Sequence, residues 1–299
     1  MISVVVPAHN EGSVIERCLE DLLAEAQPGE LEIAVVCNGC NDDTADRARR
    51  FGPDVKVVET PVGSKIHALN LGDRHVTSFP RFYVDADIQL STKAIRDVAA
   101  MLTDESPILV AAPRGVVALA DRPWAVRAFY NVWTRLPYFS ENMVGSGVYA
   151  FSRKGRERFG EFPTVTADDE FARHVAAPHE RCASSTSTFT IYPPRTVRDL
   201  LKIMTRTRAA DCEFRERFPD MQVHGNTSPG RSLRIIAKTP SLWLYAPMYL
   251  GIMYIASRRA RRKLRSQAAA VWERDDSSRG GASEQRPEKG EGQGRPKAA

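Results

Sequence analysis

Residues 2–37 read ISVVVPAHNEGSVIERCLEDLLAEAQPGELEIAVVC, and the order of apolar residues in this stretch decides the fold class. Residues 2–6 are mostly β-branched and are followed by a proline, which is typical of a buried strand. Residues 13–25 carry apolar side chains at helical spacing, and residues 31–37 repeat the buried-strand pattern. A strand, a helix and a second strand at these lengths predict a βαβ unit with parallel strands.

The same alternation continues along the chain and predicts an α/β fold with a mainly parallel, Rossmann-like sheet flanked by helices. The second half is less regular. The further predicted elements are helix 44–51, strand 55–58, a helix from 66, strand 82–84, helix 92–103, strand 108–112, strand 148–151, helix 168–176, strand 186–192 and helix 197–218.

Composition and charge exclude several classes of protein. Of the 299 residues, 42% are hydrophobic and 26% charged, so the chain can form a packed core. The net charge is +5, but residues 258–265 alone contribute six positive charges, so the rest is close to neutral and a nucleic-acid partner is not expected. The five cysteines form no secreted disulfide framework, and the first residues lack a signal-peptide pattern, so we expect a cytosolic site.

Polar clusters follow four of the predicted strands, where an open parallel sheet binds its ligands. They are 9–11 (HNE), 37–40 (CNGC), 63–65 (GSK) and 85–87 (DAD). Asp85 and Asp87 are spaced to bind a hard divalent cation that also takes phosphate oxygens, although a solvated turn is the alternative. Neither a G-x-G-x-x-G fingerprint after the first strand nor a P-loop is present, which argues against dinucleotide binding and a P-loop ATPase.

Taken together, the segments resemble the family-2 glycosyltransferases, which have the nucleotide-sugar-binding GT-A fold. The resemblance covers residues 1 to about 210. It is carried, in the family's order, by VVPAHNE at 5–11, VVCNGCNDDT at 35–44, KIHALN at 65–70, YVDAD at 83–87, GSG at 145–147 with FSR at 151–153, and TADDE at 166–170.

This resemblance implies an inverting, metal-dependent transferase that uses Mn²⁺ or Mg²⁺ and a UDP- or GDP-linked sugar. Asp87 is the expected direct metal ligand and Asp85 a metal or ribose contact; His224 is either an extra ligand or a surface-loop histidine. Asp169 is the expected general base and Asp168 the second choice, with an acidic helix N-terminus as the alternative. The expected donor-binding residues are Pro7, His9, Asn10, Glu11, Asn38, Lys65, Asp85, Arg206 and Arg208.

The sequence departs from the family pattern at three places. Cys37-Asn38 replaces the usual Asp-Asp, so we expect the Asn38 amide to recognise the base, and the choice of base stays open. Cys37 and Cys40 have redox or zinc spacing, although two small packed residues in a turn fit better. Residues 205–209 (TRTRA) replace the Q-x-x-R-W of processive members, so we expect transfer of a single sugar. Arg206 or Arg208 would then clamp the pyrophosphate from a flexible loop or lie on a solvated helix face.

Residues 239–257 contain no charged residue and are interrupted by Pro247 and Gly251. Their length approaches a membrane span, but a single span would place the basic run 258–265 outside, against the positive-inside rule. We therefore expect a peripheral or monotopic enzyme on the inner face of the cell membrane, attracted by anionic lipid, with a buried core helix as the alternative.

The predicted organisation has four parts: 1–115 binds the nucleotide sugar, 116–235 holds the acceptor and the base, 236–265 is the membrane segment, and 266–299 is a disordered tail. The predicted activity is transfer of one sugar to a sugar or lipid-linked acceptor, in the synthesis of cell-envelope glycans. A soluble small acceptor and a non-catalytic nucleotide-sugar-binding scaffold are the alternatives.

Overall fold

The computed structural model describes residues 1–140, 145–221 and 229–265. These residues form a seven-stranded sheet in the order β3-β2-β1-β4-β6-β5-β7. The strands are β1 (Ile2–Ala8), β2 (Leu31–Asn38), β3 (Val55–Thr60), β4 (Arg81–Val84), β5 (Val110–Val117), β6 (Val148–Phe151) and β7 (Arg181–Ile191). All neighbouring strands pair in parallel except for β6, which is antiparallel to both β4 and β5. The predicted mainly parallel α/β sheet is confirmed.

Helices cover both faces of the sheet and extend beyond it at the carboxyl terminus. They are α1 (Ile15–Leu23), α2 (Thr44–Arg49), α3 (Lys65–Asp73), α4 (Thr92–Ala99), α5 (Trp124–Trp133), α6 (Pro137–Ser140), α7 (Arg153–Arg156), α8 (Asp168–Val175), α9 (Val197–Arg217), α10 (Pro229–Lys238) and α11 (Ala246–Arg265). Short 3₁₀ helices occupy Gly52–Asp54, Pro178–Glu180 and Pro240–Leu242.

The strand β1 lies at the centre of the parallel half because its side chains are apolar on both faces. Val4 and Val6 pack into one core cluster with α1, whereas Val5 packs into the opposite one with α3. A strand that is buried on both sides reads as a continuous β-branched run, which is the pattern of residues 2–6. The register, with Ala8 beside Cys37, then brings the ends of β1 and β2 to the same edge.

The antiparallel strand β6 brings a second chain segment to this edge. Val148 is the partner of Val84, so residues 145–147 precede β6 exactly where residues 85–87 follow β4. The backbone N–H of Asp85 donates to the carbonyl oxygen of Gly147 at 2.8 Å. The segment 145–147 therefore lies beside the predicted metal-binding carboxylates.

The carboxy-terminal apolar segment is not interrupted at Pro247 and Gly251, although the sequence predicted an interruption there. Helix α11 runs through Pro247 and Gly251, so neither residue interrupts it. Pro247 stands in the first turn, where the N–H that proline lacks has no helical acceptor, and an exposed glycine costs about 1 kcal/mol, which packing offsets. One side of α11 packs on α5 and α9. Among the described residues, no helix combines the length and the hydropathy needed to cross a bilayer.

Candidate active site

Lys65 joins three segments that are far apart in the sequence. Its Nζ lies 2.7 Å from Oδ1 of Asp85, after β4, and 3.0 Å from Oδ1 of Asp168, at the start of α8. Lys65 is the first residue of α3, whose preceding Ser64 accepts the backbone N–H of His67 at 3.3 Å as an N-cap. The ion pairs thus place the two predicted carboxylate sites next to each other.

The far end of α3 is held by a buried ionic cluster, which fixes the direction of the helix. Asp73 pairs with Arg81 at 2.9 Å and with Arg156 at 2.6 Å, and it accepts the Tyr83 hydroxyl at 2.7 Å. A buried carboxylate requires such pairing and hydrogen bonding. With its last residue fixed in this way, α3 presents Lys65 to the site at a defined position.

The charged groups at the centre of the site change one another's pKa values. The Asp85 side chain is 35% exposed but surrounded by protein, and this burial raises its pKa to about 6, with Asp168 and Asp87 also raising it and Lys65 opposing. Burial alone would lower the pKa of Lys65, yet Asp168 and Asp85 outweigh it and the pKa is raised. Lys65 therefore stays a cation at neutral pH, which suits contact with an anionic donor.

The two candidate bases differ in exposure and in their partners. Asp168 is only 4% exposed; besides the Lys65 ammonium, its carboxylate accepts the Tyr149 hydroxyl at 3.0 Å. Asp169 is partly exposed and accepts the backbone N–H groups of Ser146 at 3.1 Å and Glu170 at 2.9 Å. Burial, followed by the neighbouring Asp168 charge, raises the pKa of Asp169. Asp169 is thus the more accessible carboxylate, while Asp168 is held in place by Lys65 and Tyr149.

The segment 145–147 has a backbone conformation that allows this close approach. Gly145 has φ +124°, and a Cβ there would lie 3.0 Å from the side chain of Asp169. Gly147 has φ +99°, and a Cβ there would meet Ile88 at 2.9 Å and Oδ2 of Asp85 at 3.4 Å. Side chains at these two positions would therefore crowd both carboxylates.

The β1 and β2 ends form an interlocked pair of loops. Nδ1 of His9 donates to the Asn38 carbonyl at 2.6 Å, and the Asn38 amide nitrogen donates to the Ala8 carbonyl at 2.9 Å. Asn10, at φ 54°, accepts the Asn41 N–H through its side chain at 2.7 Å, and the N–H of Glu11 donates to Thr44 at 2.8 Å. Four of the predicted donor-binding residues therefore lie together at one edge of the sheet.

Pro7 has a different position from the other predicted residues of this loop. It lies inside β1, paired with Val36, and is buried. Cys37 is also buried at the end of β2, and the Cys40 thiol lies 3.4 Å from the Ala8 carbonyl. Among the described residues there is no group of three or more His, Cys, Asp or Glu side chains that would hold a metal.

Arg206 and Arg208 lie within α9, so the helix predicted over 197–218 is confirmed and, of the two alternatives for these arginines, the flexible loop is wrong. Helix α9 packs on α8 and α11. Arg208 pairs with Asp211 at 3.2 Å. Burial raises the pKa of Asp211 to about 6. The Arg208 charge opposes this increase, whereas the Glu170 and Asp169 charges add to it. Arg208 is therefore held by an ion pair within α9. His224 and the tail 266–299 lie outside the described residues.

The carboxylates of Asp85 and Asp87 are oxygen donors of the kind that a hard divalent cation takes. Mg²⁺ and Mn²⁺ need only one or two protein carboxylates when substrate phosphates and water complete an octahedron. Lys65 contacts Oδ1 of Asp85. The other oxygen, Oδ2, lies near Gly147, where a Cβ would be 3.4 Å away. The donor chemistry of the two carboxylates fits such an ion.

Sequence reasoning did not find Tyr149 or the contribution of residues 145–147 to the base. Tyr149 stands in a buried strand, where its ring stacks on Tyr83 with 5.2 Å between centroids. A tyrosine in an apolar strand gives no sign that its hydroxyl meets a carboxylate. The only available signal was the Gly-Ser-Gly segment, because two glycines around a serine indicate unusual backbone angles.

Comparison with solved structures shows the fold. A mannosyltransferase from Pyrobaculum calidifontis, solved with GDP-Man and Mn²⁺, has a TM-score of 0.59 and 24% identity over 90% of this chain and 75% of its own. S. aureus TarS 1–349, in complex with UDP, has a TM-score of 0.50 and 14% identity over 92% and 94%. Glucosyl-3-phosphoglycerate synthase from Mycobacterium tuberculosis, with Mn²⁺, UDP-Glc and phosphoglyceric acid, has 0.51 and 20% over 73% and 79%.

No curated protein matches the chain significantly by sequence. The model of the family described as Glycosyl transferase family 2 matches residues 3–155, which is more than half of the chain. That match includes β1 to β6, the loops at the carboxyl edge, Lys65 and the Asp85-Ala86-Asp87 segment. The chain therefore belongs to glycosyltransferase family 2, has the GT-A fold and is a glycosyltransferase.

Proposed function

We propose that this enzyme moves one sugar from a nucleotide diphosphate donor to an acceptor hydroxyl with inversion at the anomeric carbon. The observation that carries the proposal is the position of Lys65, which holds Asp85 and Asp168 within 3.0 Å of one ammonium group. A donor diphosphate beside Asp85 then has its sugar near α8, where Asp169 is partly exposed. Donor and base are thus on adjacent segments, as a direct displacement requires.

Donor binding is assigned to the edge formed by β1, β2 and α3. The Asn38 amide uses its nitrogen for Ala8, which leaves its oxygen to accept a ring N–H of a nucleobase. Uracil and guanine both offer such a group, and the solved neighbours carry UDP, UDP-Glc or GDP-Man. The charge of Lys65 suits the diphosphate, and Arg206 or Arg208 would contact it from α9.

Asp87 and Asp85 would hold Mn²⁺ or Mg²⁺ together with the donor phosphates. A bound cation there supplies positive charge that stabilises the nucleotide diphosphate as it leaves. Two of the solved neighbours named above contain Mn²⁺, which supports the same ion for this chain.

Asp169 acts as the general base in this proposal, and Asp168 positions Lys65. The acceptor oxygen forms a bond to the anomeric carbon while the bond from that carbon to the diphosphate oxygen breaks. The acceptor proton goes to the Asp169 carboxylate, and the electron pair of the broken bond leaves with the nucleotide diphosphate. The Ser146 and Glu170 N–H groups hold the Asp169 carboxylate in place for this transfer.

The acceptor is proposed to be lipid-linked and used at the cytosolic membrane face, in the synthesis of cell-envelope glycans. Exposed apolar side chains near the site support an acceptor with an apolar part. The Tyr192 hydroxyl donates to Gln89, two residues beyond Asp87, at 2.5 Å, and its ring is 41% exposed. Val116 is 46% exposed, and its partner in the sheet, Thr190, also forms a bridge with Gln89. If the acceptor is instead a soluble molecule, detergent micelles or vesicles should not change turnover.

Nucleotide binding gives the first test. Uridine or guanosine diphosphate should raise the melting temperature of the protein, and Mn²⁺ should increase that shift because Asp87 and Asp85 would hold the ion together with the donor phosphates. Adenosine diphosphate, whose base lacks an equivalent ring N–H, is the control. Equal shifts with all three nucleotides, with or without Mn²⁺, would contradict both base recognition at Asn38 and the metal site.

The pH dependence of turnover gives a second test. Asp169 accepts a proton only when ionised, and its pKa is raised by burial and by Asp168, so kcat should fall as the pH drops through a value above the ordinary aspartate range. The activity should be fully present above that pKa and lost below it. A plateau that extends down to the pKa of an exposed aspartate would argue against Asp169 as the base.

A further inference from the structure

The outward face of α11 is apolar over its first half, which is unusual for the surface of a soluble domain. Leu250, Tyr254 and Ile255 are 42%, 62% and 41% exposed, and just before the helix Trp243 and Leu244 are 59% and 69% exposed. Leu250 and Tyr254 are four residues apart and share one face of α11, Ile255 is the next residue, and Trp243 and Leu244 stand in the turn before the helix. These five exposed side chains are called the apolar stripe below.

The inward face of α11 consists of different residues, so the exposed ones are not needed for its packing. Ala246, Tyr249, Ile252, Ala256 and Ala260 are at most 8% exposed and join the core cluster of α5 and α9. The Phe129 and Tyr249 rings lie 5.2 Å apart between centroids. A helix that is apolar on both faces requires a second apolar medium on its outer side.

The charge beside this stripe has one sign. Residues 229–265 contain nine lysine or arginine residues and no aspartate or glutamate. On the outward face of α11 the apolar stripe changes to basic residues at Arg258, which donates to the Tyr254 hydroxyl at 3.1 Å and is followed by exposed Arg259, Arg261 and Arg262. The surface therefore combines aromatic and aliphatic side chains with clustered positive charge.

We infer that this α11 outer surface, comprising Trp243, Leu244, Leu250, Tyr254, Ile255, Arg258, Arg259, Arg261 and Arg262, docks on an anionic lipid bilayer with the helix in the plane of the interface. Aromatic and aliphatic side chains enter the boundary between headgroups and acyl chains, and the arginines neutralise lipid phosphates. A second copy of the chain would bring a like-charged surface against this one. The inference rests on the peripheral location proposed above and not on the metal or the base.

Docking in this way would also orient the active site. Helix α9 packs on α8, which carries Asp168 and Asp169, and on α11. The docked surface is thus connected to the candidate base through a single helix. A lipid-linked acceptor would then reach the site from the bilayer on which the enzyme lies.

Sedimentation with vesicles tests the inference on the full-length protein. We expect the protein to sediment with vesicles of phosphatidylcholine mixed with phosphatidylglycerol, to sediment far less with phosphatidylcholine alone, and to be released by high salt. Combined Leu244→Gln and Leu250→Gln should reduce binding about ten-fold or more, because two apolar anchors are lost. Val62→Gln, at a position 47% exposed beside β3, is the matched control and should bind like the wild type.

A second set of variants tests the charge and does not depend on the apolar positions. Arg258→Gln, Arg261→Gln and Arg262→Gln together should weaken binding to the mixed vesicles, whereas Arg50→Gln, Arg74→Gln and Lys93→Gln, which remove equal charge elsewhere, should not. The combined leucine variant and the combined arginine variant should both retain Mn²⁺-dependent nucleotide binding, which separates this inference from the catalytic proposal. Three results would each overturn the inference. The wild-type protein could stay in the supernatant, all variants could bind like the wild type, or the protein could be a dimer that the Leu244 and Leu250 changes dissociate.

Discussion

Replacing Asp169 by asparagine should reduce kcat by about 100- to 10,000-fold, which is the usual contribution of a general base. Asparagine has nearly the same shape and can still accept the Ser146 and Glu170 N–H groups through its oxygen. It cannot take the acceptor proton. Binding of the nucleotide diphosphate with Mn²⁺ should therefore stay close to that of the wild type, measured by calorimetry, while single-turnover transfer almost stops.

Asp168→Asn is the matched control for this experiment because it changes the adjacent carboxylate. Asp168 contacts Lys65 at 3.0 Å and is only 4% exposed, so its loss should weaken donor binding and raise KM more than it lowers kcat. The two variants thus separate a base from a positioning residue. If Asp169→Asn transfers sugar at the wild-type rate and Asp168→Asn does not, the assignments are reversed and Asp168 is the base.

The parallel half of the sheet could be predicted from sequence because its signals are local. Residues 2–6 and 31–37 are buried strands by composition, and the helix between them has apolar residues on one face. The antiparallel insertion of β6 between β4 and β5 could not be predicted. That pairing joins residues distant in the chain, and the apolar pattern of residues 148–151 is the same for either direction.

The candidate site was predictable at the level of residue types but not of contacts. Asp85, Asp87 and Asp169 were identified as carboxylates in family positions. The Lys65 bridge to Asp168 depends on how α3 and α8 pack, which the sequence does not express. The apolar segment 239–257 was ambiguous for a physical reason, since one face of α11 packs in the protein and the other is exposed. From the linear order of apolar residues alone, a helix that packs on one face and is exposed on the other cannot be told from a helix in a membrane or in a core.

Replacing Asp87 by alanine should remove the dependence of nucleotide binding on Mn²⁺ and lower kcat by about 100-fold or more, since electrostatic stabilisation of the leaving group is lost. Asp87 and Asp85 are both partly exposed, and in the proposal above they would hold the cation together. With alanine, Asp85 remains, but it shares Oδ1 with Lys65 at 2.7 Å and is a weaker site by itself.

The measurement compares the affinity for the nucleotide diphosphate with and without Mn²⁺ in both proteins. The wild type should bind more tightly with the ion, whereas Asp87→Ala should bind equally in the two conditions, at the level of the metal-free wild type. Asp54→Ala removes an exposed carboxylate before the amino end of β3, at the edge of the sheet opposite the site, and should behave like the wild type. If Asp87→Ala keeps the full Mn²⁺ effect, the cation is held elsewhere. Because Lys65 already supplies positive charge beside Asp85, a metal-independent mechanism that relies on this lysine would then be the better explanation.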